Sequence, residues 1–136
     1  MKICFAVCEY NPFHNGHLKH IEYIKKNIAP DCLAIIMSGN FTQRGEIAII
    51  DKYTRAAHAI KAGADIVFEL PVAFAVAPAE IFAKGAIKLA SSVKSEKVLC
   101  FGTEKLNFYQ PPKPCSTKAK NSKNYIKTNL KRALRR

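Results

Sequence analysis

The chain has 136 residues, of which 49% are apolar and 24% charged, a composition that fits one small globular domain and excludes a disordered chain. No apolar run approaches the roughly 20 residues of a membrane-spanning helix, and the run from Ile3 to Cys8 is too short for a secretory signal. We therefore expect a cytoplasmic protein with no membrane partner.

The net charge of +12 is unevenly distributed. Residues 105–136 carry ten Lys or Arg and no acidic residue, whereas residues 1–104 carry twelve basic and ten acidic residues. This contrast predicts a compact body at 1–104 and a basic low-complexity tail at 105–136, which can attract RNA through phosphate charge.

Short apolar runs alternate with amphipathic segments along residues 1–104. The predicted strands are 2–8, 32–37, 65–70 and 97–101, and the predicted helices are 17–28, 52–62 and 78–92. Asp51 is placed to cap the second helix and Gly63 to end it. Near-continuous apolar strands alternating with helices are typical of a parallel sheet that is covered on both faces. The fold class we predict is α/β, a Rossmann-like parallel sheet with flanking helices, followed by a basic irregular tail.

Within the tail, residues 125–136 predict one or two turns of basic amphipathic helix. Ile126, Leu130 and Leu134 then share one side.

Five cysteines, Cys4, Cys8, Cys32, Cys100 and Cys115, form no Cys-x-x-Cys pair. Disulfide frameworks and metal sites usually show regular spacing. We therefore predict reduced thiols, no disulfide and no metal site.

The end of the first strand has the residues of a phosphate-binding corner. Ligands of parallel α/β sheets bind beyond the carboxyl ends of strands. Gly16 permits close approach of the backbone, and a helix that begins here offers N–H groups and a positive dipole end. His14 and His17 are three residues apart, so both rings face the same way and can stabilise charge on phosphate. These two histidines are the catalytic candidates.

Two other interpretations of the histidine pair stay open. Zinc binding requires a further ligand, for which Glu9 and Cys8 are candidates. Alternatively, both histidines have a structural role in the turn. His20 and His58 lie within predicted helices, where surface or packing roles are expected.

The segment EYNPFHNGH resembles the H-x-G-H motif of the nucleotidyltransferase superfamily. Five further blocks follow in order: MSGNFTQRGE, IIDKYTRA, GADIVFELP, AEIFAKGA and FGTE. Together these six blocks resemble the tRNA(Met) cytidine acetate ligase family over residues 1–104.

The resemblance implies a two-step reaction. Acetate attacks the α-phosphate of ATP to give acetyl-adenylate, and the wobble cytidine of elongator tRNA(Met) then takes the acetyl group. ATP is a substrate, Mg²⁺ is an optional companion of ATP, and no redox cofactor is needed. The resemblance assigns ATP contacts to Val7, Cys8, Glu9, Tyr10, Asn11, Pro12, Phe13, His14, Asn15, Gly16, His17, Leu18, Lys19, His20 and Gly102.

A polar loop at residues 38–46 follows the second strand and is expected at the same edge of the sheet. Asn40, Gln43 and Arg44 are candidates to reach acetate or tRNA. Lys52 and Arg55 open the next helix and are candidates to neutralise phosphate. A solvated loop and helix surface is the open alternative for each of these five residues.

Members of the family continue well beyond the part matched by residues 1–104, and that further part supplies another ATP-contacting Arg and Asn and the tRNA-binding surface. We therefore expect a truncated or frameshifted tail and no useful rate of tRNA acetylation. Two other functions stay open: another adenylyltransferase acting on a small phosphorylated acceptor, or a nucleotide- or RNA-binding fragment without catalysis. The blocks SGNFTQRGE and IIDKYTRA favour the acetate ligase.

Overall fold

The computed structural model describes residues 1–103 and the strand at 124–129. The elements in chain order are β1 (Lys2–Cys8), α1 (Asn15–Tyr23), a π-helical turn (Ile24–Ile28), β2 (Cys32–Ser38), α2 (Lys52–Lys61), β3 (Ile66–Leu70), α3 (Val72–Ala75), α4 (Ala79–Ser92), β4 (Glu96–Thr103) and β5 (Asn124–Asn129). All four predicted strands and all three predicted helices are confirmed, with small shifts at their ends. The short helix α3 was not predicted.

The sheet has the strand order β3-β2-β1-β4-β5, with β1 in the centre. β1 pairs in parallel with β2 and β4, and β2 pairs in parallel with β3. The predicted parallel sheet is therefore confirmed. Since the strands β1 to β4 are parallel, their carboxyl ends meet at one edge of the sheet, where ligands of such sheets bind.

Helices cover both faces of the sheet at its central strands β1 and β2, as the apolar strands predicted. On one face, Cys4 and Ala6 of β1 belong to a core that includes Ile21 of α1 and Ala59 of α2. Ile3 and Phe5 point to the other face. There they join a core that includes three small residues of α3 and α4: Ala75, Ala86 and Ala90. Because alternate strand residues face opposite sides, one short strand anchors helices on both faces.

The start and the end of α2 follow the predicted local rules. Asp51 Oδ1 accepts hydrogen bonds from the backbone N–H groups of Tyr53 (3.0 Å) and Thr54 (2.9 Å). Gly63 has φ +109°, a conformation that favours glycine. Asp51 therefore sets where α2 begins, and the chain turns toward β3 at Gly63.

The helical turn predicted within residues 125–136 is wrong where the structure describes this segment, at residues 124–129. This segment is the strand β5, antiparallel to β4, in the register Phe101↔Ile126 and Gly102↔Tyr125. The edge of β4 offers unpaired backbone groups, and a six-residue segment containing Tyr, Ile and Thr has high β propensity. Strand pairing therefore replaces the helical turn expected at these residues. Leu130 and Leu134 lie outside the described residues.

No disulfide forms within the described part of the chain, where the cysteines are Cys4, Cys8, Cys32 and Cys100. Cys115 lies outside it. Residues 1–103 and 124–129 contain no helix long and apolar enough to cross a membrane.

Candidate functional site

The chain leaves β1 through a tightly packed turn. Tyr10 has φ +52°, and the Asn11–Pro12 peptide bond is cis. The Tyr10 side chain is fully buried. Its ring meets Phe13 edge-on, with the ring centroids 4.9 Å apart. The turn that leads into α1 is therefore packed against the body of the domain by an aromatic pair.

His14 and His17 cap the first turn of α1 reciprocally. His14 Nδ1 accepts a hydrogen bond from the Gly16 N–H (3.0 Å), and His17 Nδ1 accepts one from the His14 N–H (3.2 Å). The two rings stack, with their centroids 3.7 Å apart. An imidazole that accepts at Nδ1 carries its proton at Nε2 in the neutral form. Both rings are thus N–H donors through Nε2.

The cap changes one expectation from the sequence. The N–H groups of Gly16, His17 and Leu18 all donate to His14, to its ring or to its carbonyl oxygen. These three amides were expected to be available to phosphate. In this structure they are occupied: the imidazole of His14 accepts from Gly16 in place of the usual Ser or Asp cap, and the His14 carbonyl oxygen accepts from His17 and Leu18. The imidazole rings and the helix dipole are the groups here that can attract phosphate.

Aromatic neighbours hold the ring of His17 in place. Tyr10 lies 4.8 Å from it, centroid to centroid, and Phe13 lies 5.5 Å away. His14 is exposed, whereas His17 is half-buried. The pair therefore combines one histidine open to solvent with one that is fixed in orientation by the turn.

Neither Cys8 nor Tyr10 is an ionised group at neutral pH. Burial raises the pKa of the Cys8 thiol to about 11. Burial, and secondarily the neighbouring Cys8, raises the pKa of Tyr10 well above its usual value. A protonated thiol is a poor nucleophile, so the arrangement does not favour covalent catalysis by Cys8.

His20 lies in the core and not on the surface. It is 7% exposed, and its Nε2 is 3.5 Å from Cys100 Sγ on β4. Burial lowers the pKa of His20 to about 4. The packing role expected from the helical pattern fits this position, whereas the ATP contact implied by the resemblance does not.

A cavity of about 400 Å³ opens at the carboxyl end of β1. Its walls come from three parts of the chain: Val7, Cys8 and Glu9 at the end of β1, Gln43 and Arg44 in the polar loop, and Ala79 and Phe82 in α4. The cavity has the volume of a small-molecule site. It brings the predicted ATP segment and the predicted substrate loop together.

The α4 wall was missed by the sequence analysis. Ala79 and Phe82 are three residues apart and so face the same way on the first turn of α4. Pro78, which marks the start of that helix, was the available signal. Nothing in the sequence showed that this helix begins beside the end of β1.

The loop between β2 and α2, residues 39–51, is attached to the end of β1 by two hydrogen bonds. The Gln43 N–H donates to Glu9 Oε1 (2.6 Å), and the Ile49 N–H donates to Asn11 Oδ1 (2.8 Å). The Gln43 side chain donates to the Ala77 carbonyl oxygen (3.2 Å). Asn40 is exposed and does not line the cavity; the exposed Arg44 does.

The position of Arg55 argues against the phosphate role predicted for it. Arg55 is fully buried, and its guanidinium donates to the backbone carbonyl oxygens of Ile50, Glu9, Ser38 and Gly39. Burial lowers the pKa of Arg55, yet an arginine stays protonated in proteins. A buried guanidinium surrounded by main-chain oxygens is not available to a nucleotide.

Lys52 is engaged in an ion pair. Its Nζ lies 2.7 Å from Glu69 Oε2, at the end of β3. This hydrogen bond is the main cause that raises the pKa of Lys52. The phosphate role predicted for Lys52 therefore competes with Glu69.

Gly102 lies at the carboxyl end of β4. The last paired residues of β1 and β4 are Ala6 and Cys100, so Gly102 is two residues past that pair. The expected position beside the end of β1 agrees with this register. Among residues 1–103 and 124–129, no three His, Cys, Asp or Glu side chains are grouped closely enough to hold a metal ion.

Comparisons with known proteins identify the family that this chain resembles. A family model described as HIGH nucleotidyl transferase matches residues 1–136. The tRNA(Met) cytidine acetate ligase of Geobacillus sp. (strain WCH70) is 53% identical over 107 residues, which cover 79% of this chain and 26% of that relative. The ligase of the same name from Acetivibrio thermocellus is 49% identical over 104 residues, covering 76% of this chain and 25% of the relative.

One solved structure similar to this chain contains a nucleotide. The crystal structure of Thermotoga maritima TmcAL bound with alpha-thio ATP has a TM-score of 0.67 at 47% identity, covering 71% of this chain and 24% of that chain. The resemblance drawn from the six sequence blocks is confirmed. The chain spans about a quarter of the length of these relatives.

Proposed function

This chain belongs to the HIGH nucleotidyl transferase family, and from this premise we propose that it binds ATP beyond the carboxyl ends of β1 and β4 and transfers the adenylyl group to acetate. The observation that carries the proposal is the reciprocal cap of His14 and His17. It presents two imidazole Nε2–H donors at the positive end of a helix. The nucleotide bound to the Thermotoga maritima relative supports ATP as the ligand.

In the first step, a carboxylate oxygen of acetate attacks the α-phosphorus of ATP. The new P–O bond forms as the bond to the β-phosphate oxygen breaks, and pyrophosphate leaves. Negative charge grows on the phosphate oxygens in the transition state. The two imidazole donors stabilise that charge, and they cost little reorganisation because the cap and the aromatic neighbours have already oriented them.

The cavity at the end of β1 is the proposed site of the acceptor carboxylate. Arg44 lines it and carries a planar guanidinium, which suits a carboxylate through two parallel hydrogen bonds. Gln43 is held in the wall by its bonds to Glu9 and Ala77. Acetate in this cavity lies beside the nucleotide segment, and such proximity supplies much of the rate of a two-substrate reaction.

In the second step, the exocyclic amine of the wobble cytidine attacks the acetyl carbonyl carbon, the bond from that carbon to the AMP oxygen breaks, and AMP leaves while the amine nitrogen loses one proton to solvent. Elongator tRNA(Met) is the proposed acceptor, supported by the names of the relatives, but we expect this step to need the tRNA-binding surface that the resemblance assigns to the part of the family beyond residues 1–104. A tRNA substrate implies that the activity takes place in the cytoplasm. Mg²⁺ is proposed to accompany ATP on its phosphates, since this ion is commonly bound through substrate phosphates and water.

The test is isotope exchange between pyrophosphate and ATP. The protein is incubated with ATP, Mg²⁺ and labelled pyrophosphate, with and without acetate, and the label in ATP is measured. Exchange that requires acetate is expected, and it should be lost in His17→Ala. The matched control is His58→Ala, which removes a histidine outside the cap.

Two outcomes contradict the proposal. Absence of ATP binding by the wild-type chain removes the nucleotide site. ATP binding without acetate-dependent exchange removes acetate as the adenylyl acceptor and leaves a nucleotide-binding domain.

A further inference from the structure

A single buried side chain joins the two ends of the β2–α2 loop. Arg55 Nη1 donates to the carbonyl oxygen of Ser38 (3.2 Å) and Nη2 to that of Gly39, where the loop begins. Arg55 Nε donates to the carbonyl oxygen of Ile50 (2.8 Å), where the loop ends. The loop is therefore closed at its base by one guanidinium.

The same guanidinium also holds the end of β1. Arg55 Nη1 donates to the Glu9 carbonyl oxygen (2.7 Å). Glu9 is itself bonded to the loop, because its Oε1 accepts from the Gln43 N–H (2.6 Å). Glu9 thus connects the core to the wall of the cavity: its carbonyl oxygen accepts from Arg55, and its side chain accepts from Gln43.

The chemistry of these contacts is specific to arginine. A guanidinium has N–H groups that point in several fixed directions within one plane, and here they meet four carbonyl oxygens. A lysine has one nitrogen and three donors, so it cannot reach all four oxygens. Leaving a buried charge or several buried carbonyls without partners is costly. The position therefore requires both the charge and the shape of arginine.

We propose that Arg55 is a positioning residue that holds Gln43 and Arg44 at the cavity and touches neither substrate. This inference rests on the proposed function, because it assigns that loop to the acceptor carboxylate. Loosening the loop is expected to weaken recognition of the acetyl group far more than recognition of ATP. A residue that only stabilises the fold would affect both alike.

The first test uses the wild-type chain. In ¹⁵N NMR spectra, the Nε–H and the Nη–H protons of Arg55 should be protected from exchange with water and separately resolved. Exchange at the rate of a solvated arginine would overturn the proposal before any variant is made.

The second test compares Arg55→Lys with Lys61→Met, a control at an exposed lysine of the same helix. In Arg55→Lys, exchange of the Gln43 and Ile49 amides should accelerate at least about tenfold, while the β1 amide of Phe5 stays protected. In Lys61→Met none of these amides should change. Uniform acceleration across the sheet in Arg55→Lys would mean a purely structural role and would refute the proposal.

The third measurement is ligand selectivity. Binding of ATP and of a non-hydrolysable acetyl-adenylate mimic is measured for the wild type, Arg55→Lys and the control Lys61→Met. Arg55→Lys should lose at least about tenfold in the ratio of mimic to ATP affinity, and Lys61→Met should keep the wild-type ratio. An unchanged ratio overturns the positioning role. If the wild type binds neither ligand, the proposed function fails, and amide exchange alone then decides whether Arg55 holds the loop.

Discussion

Replacing His20 by leucine should remove a pH-dependent loss of stability. His20 is 7% exposed on the inner side of α1 and packs against Cys100 of β4. Burial lowers the pKa of His20 from 6.5 to about 4 in the folded chain. In the unfolded chain the imidazole has its ordinary pKa, near 6.5. Between these two values the unfolded state therefore binds a proton that the folded state does not.

The sign and the size of the effect follow from this difference. Since the unfolded state binds more protons, the free energy of unfolding falls as the pH falls from about 6.5 to about 4. The full difference between the folded and the unfolded pKa corresponds to about 3 kcal/mol. Roughly 2 kcal/mol of this is lost by pH 5, which is a large part of the stability of a small domain.

The assay is urea unfolding at pH 7.0, 6.0, 5.0 and 4.5, followed by circular dichroism. The wild type and His20→Leu are compared with His58→Gln, which retains His20 and should behave as the wild type. Carboxylates also titrate in this range, so the informative quantity is the difference in pH dependence between His20→Leu and the wild type. An equal loss of stability in both proteins would refute the burial of a neutral His20.

The same variant separates packing from ligand binding. Because His20 lies in the core, His20→Leu should bind ATP at pH 7.5 within about threefold of the wild type. A loss of ATP affinity without a loss of fold would restore the contact that the family resemblance implied.

Three further predictions concern the nucleotide site and the acceptor. His17→Ala should weaken ATP binding about tenfold to a hundredfold in calorimetric titration, because it removes a hydrogen bond to a charged group; equal affinities would remove the phosphate role of His17. Gly16→Val should lose ATP binding while its melting temperature changes little, since a branched side chain at the start of the helix keeps phosphate away from the imidazoles and the helix dipole; retained binding would refute this reasoning. Incubation with ATP, labelled acetate and elongator tRNA(Met) should not label that tRNA at a useful rate, because orientation of both substrates requires a tRNA-binding surface. Label in that tRNA, and none in a control tRNA, would show that this chain is sufficient for tRNA acetylation.

The sequence by itself determined the order of the elements and the position of the nucleotide segment. Apolar runs and amphipathic periods are local properties, so the strands from β1 to β4 and the helices α1, α2 and α4 were predictable. The Asp51 cap and the turn at Gly63 also depend on neighbouring residues only. The segment containing His14 and His17 was recognisable because its glycine, its histidines and its helix start are adjacent in the chain.

Only the tertiary structure decided what several of these residues contact. Arg55 looked like a surface residue at the start of a helix, but its carbonyl partners lie 5 to 46 positions away in the chain. His20 faces Cys100, which is 80 positions away, and residues 124–129 pair with a strand edge. Such contacts arise because the fold brings together strands and helices that are far apart in the chain; for Arg55, β-α-β crossovers bring the ends of β1 and β2 to one edge of the sheet. Local sequence encodes each strand and each helix, whereas the environment of a polar side chain depends on which other strands end beside it.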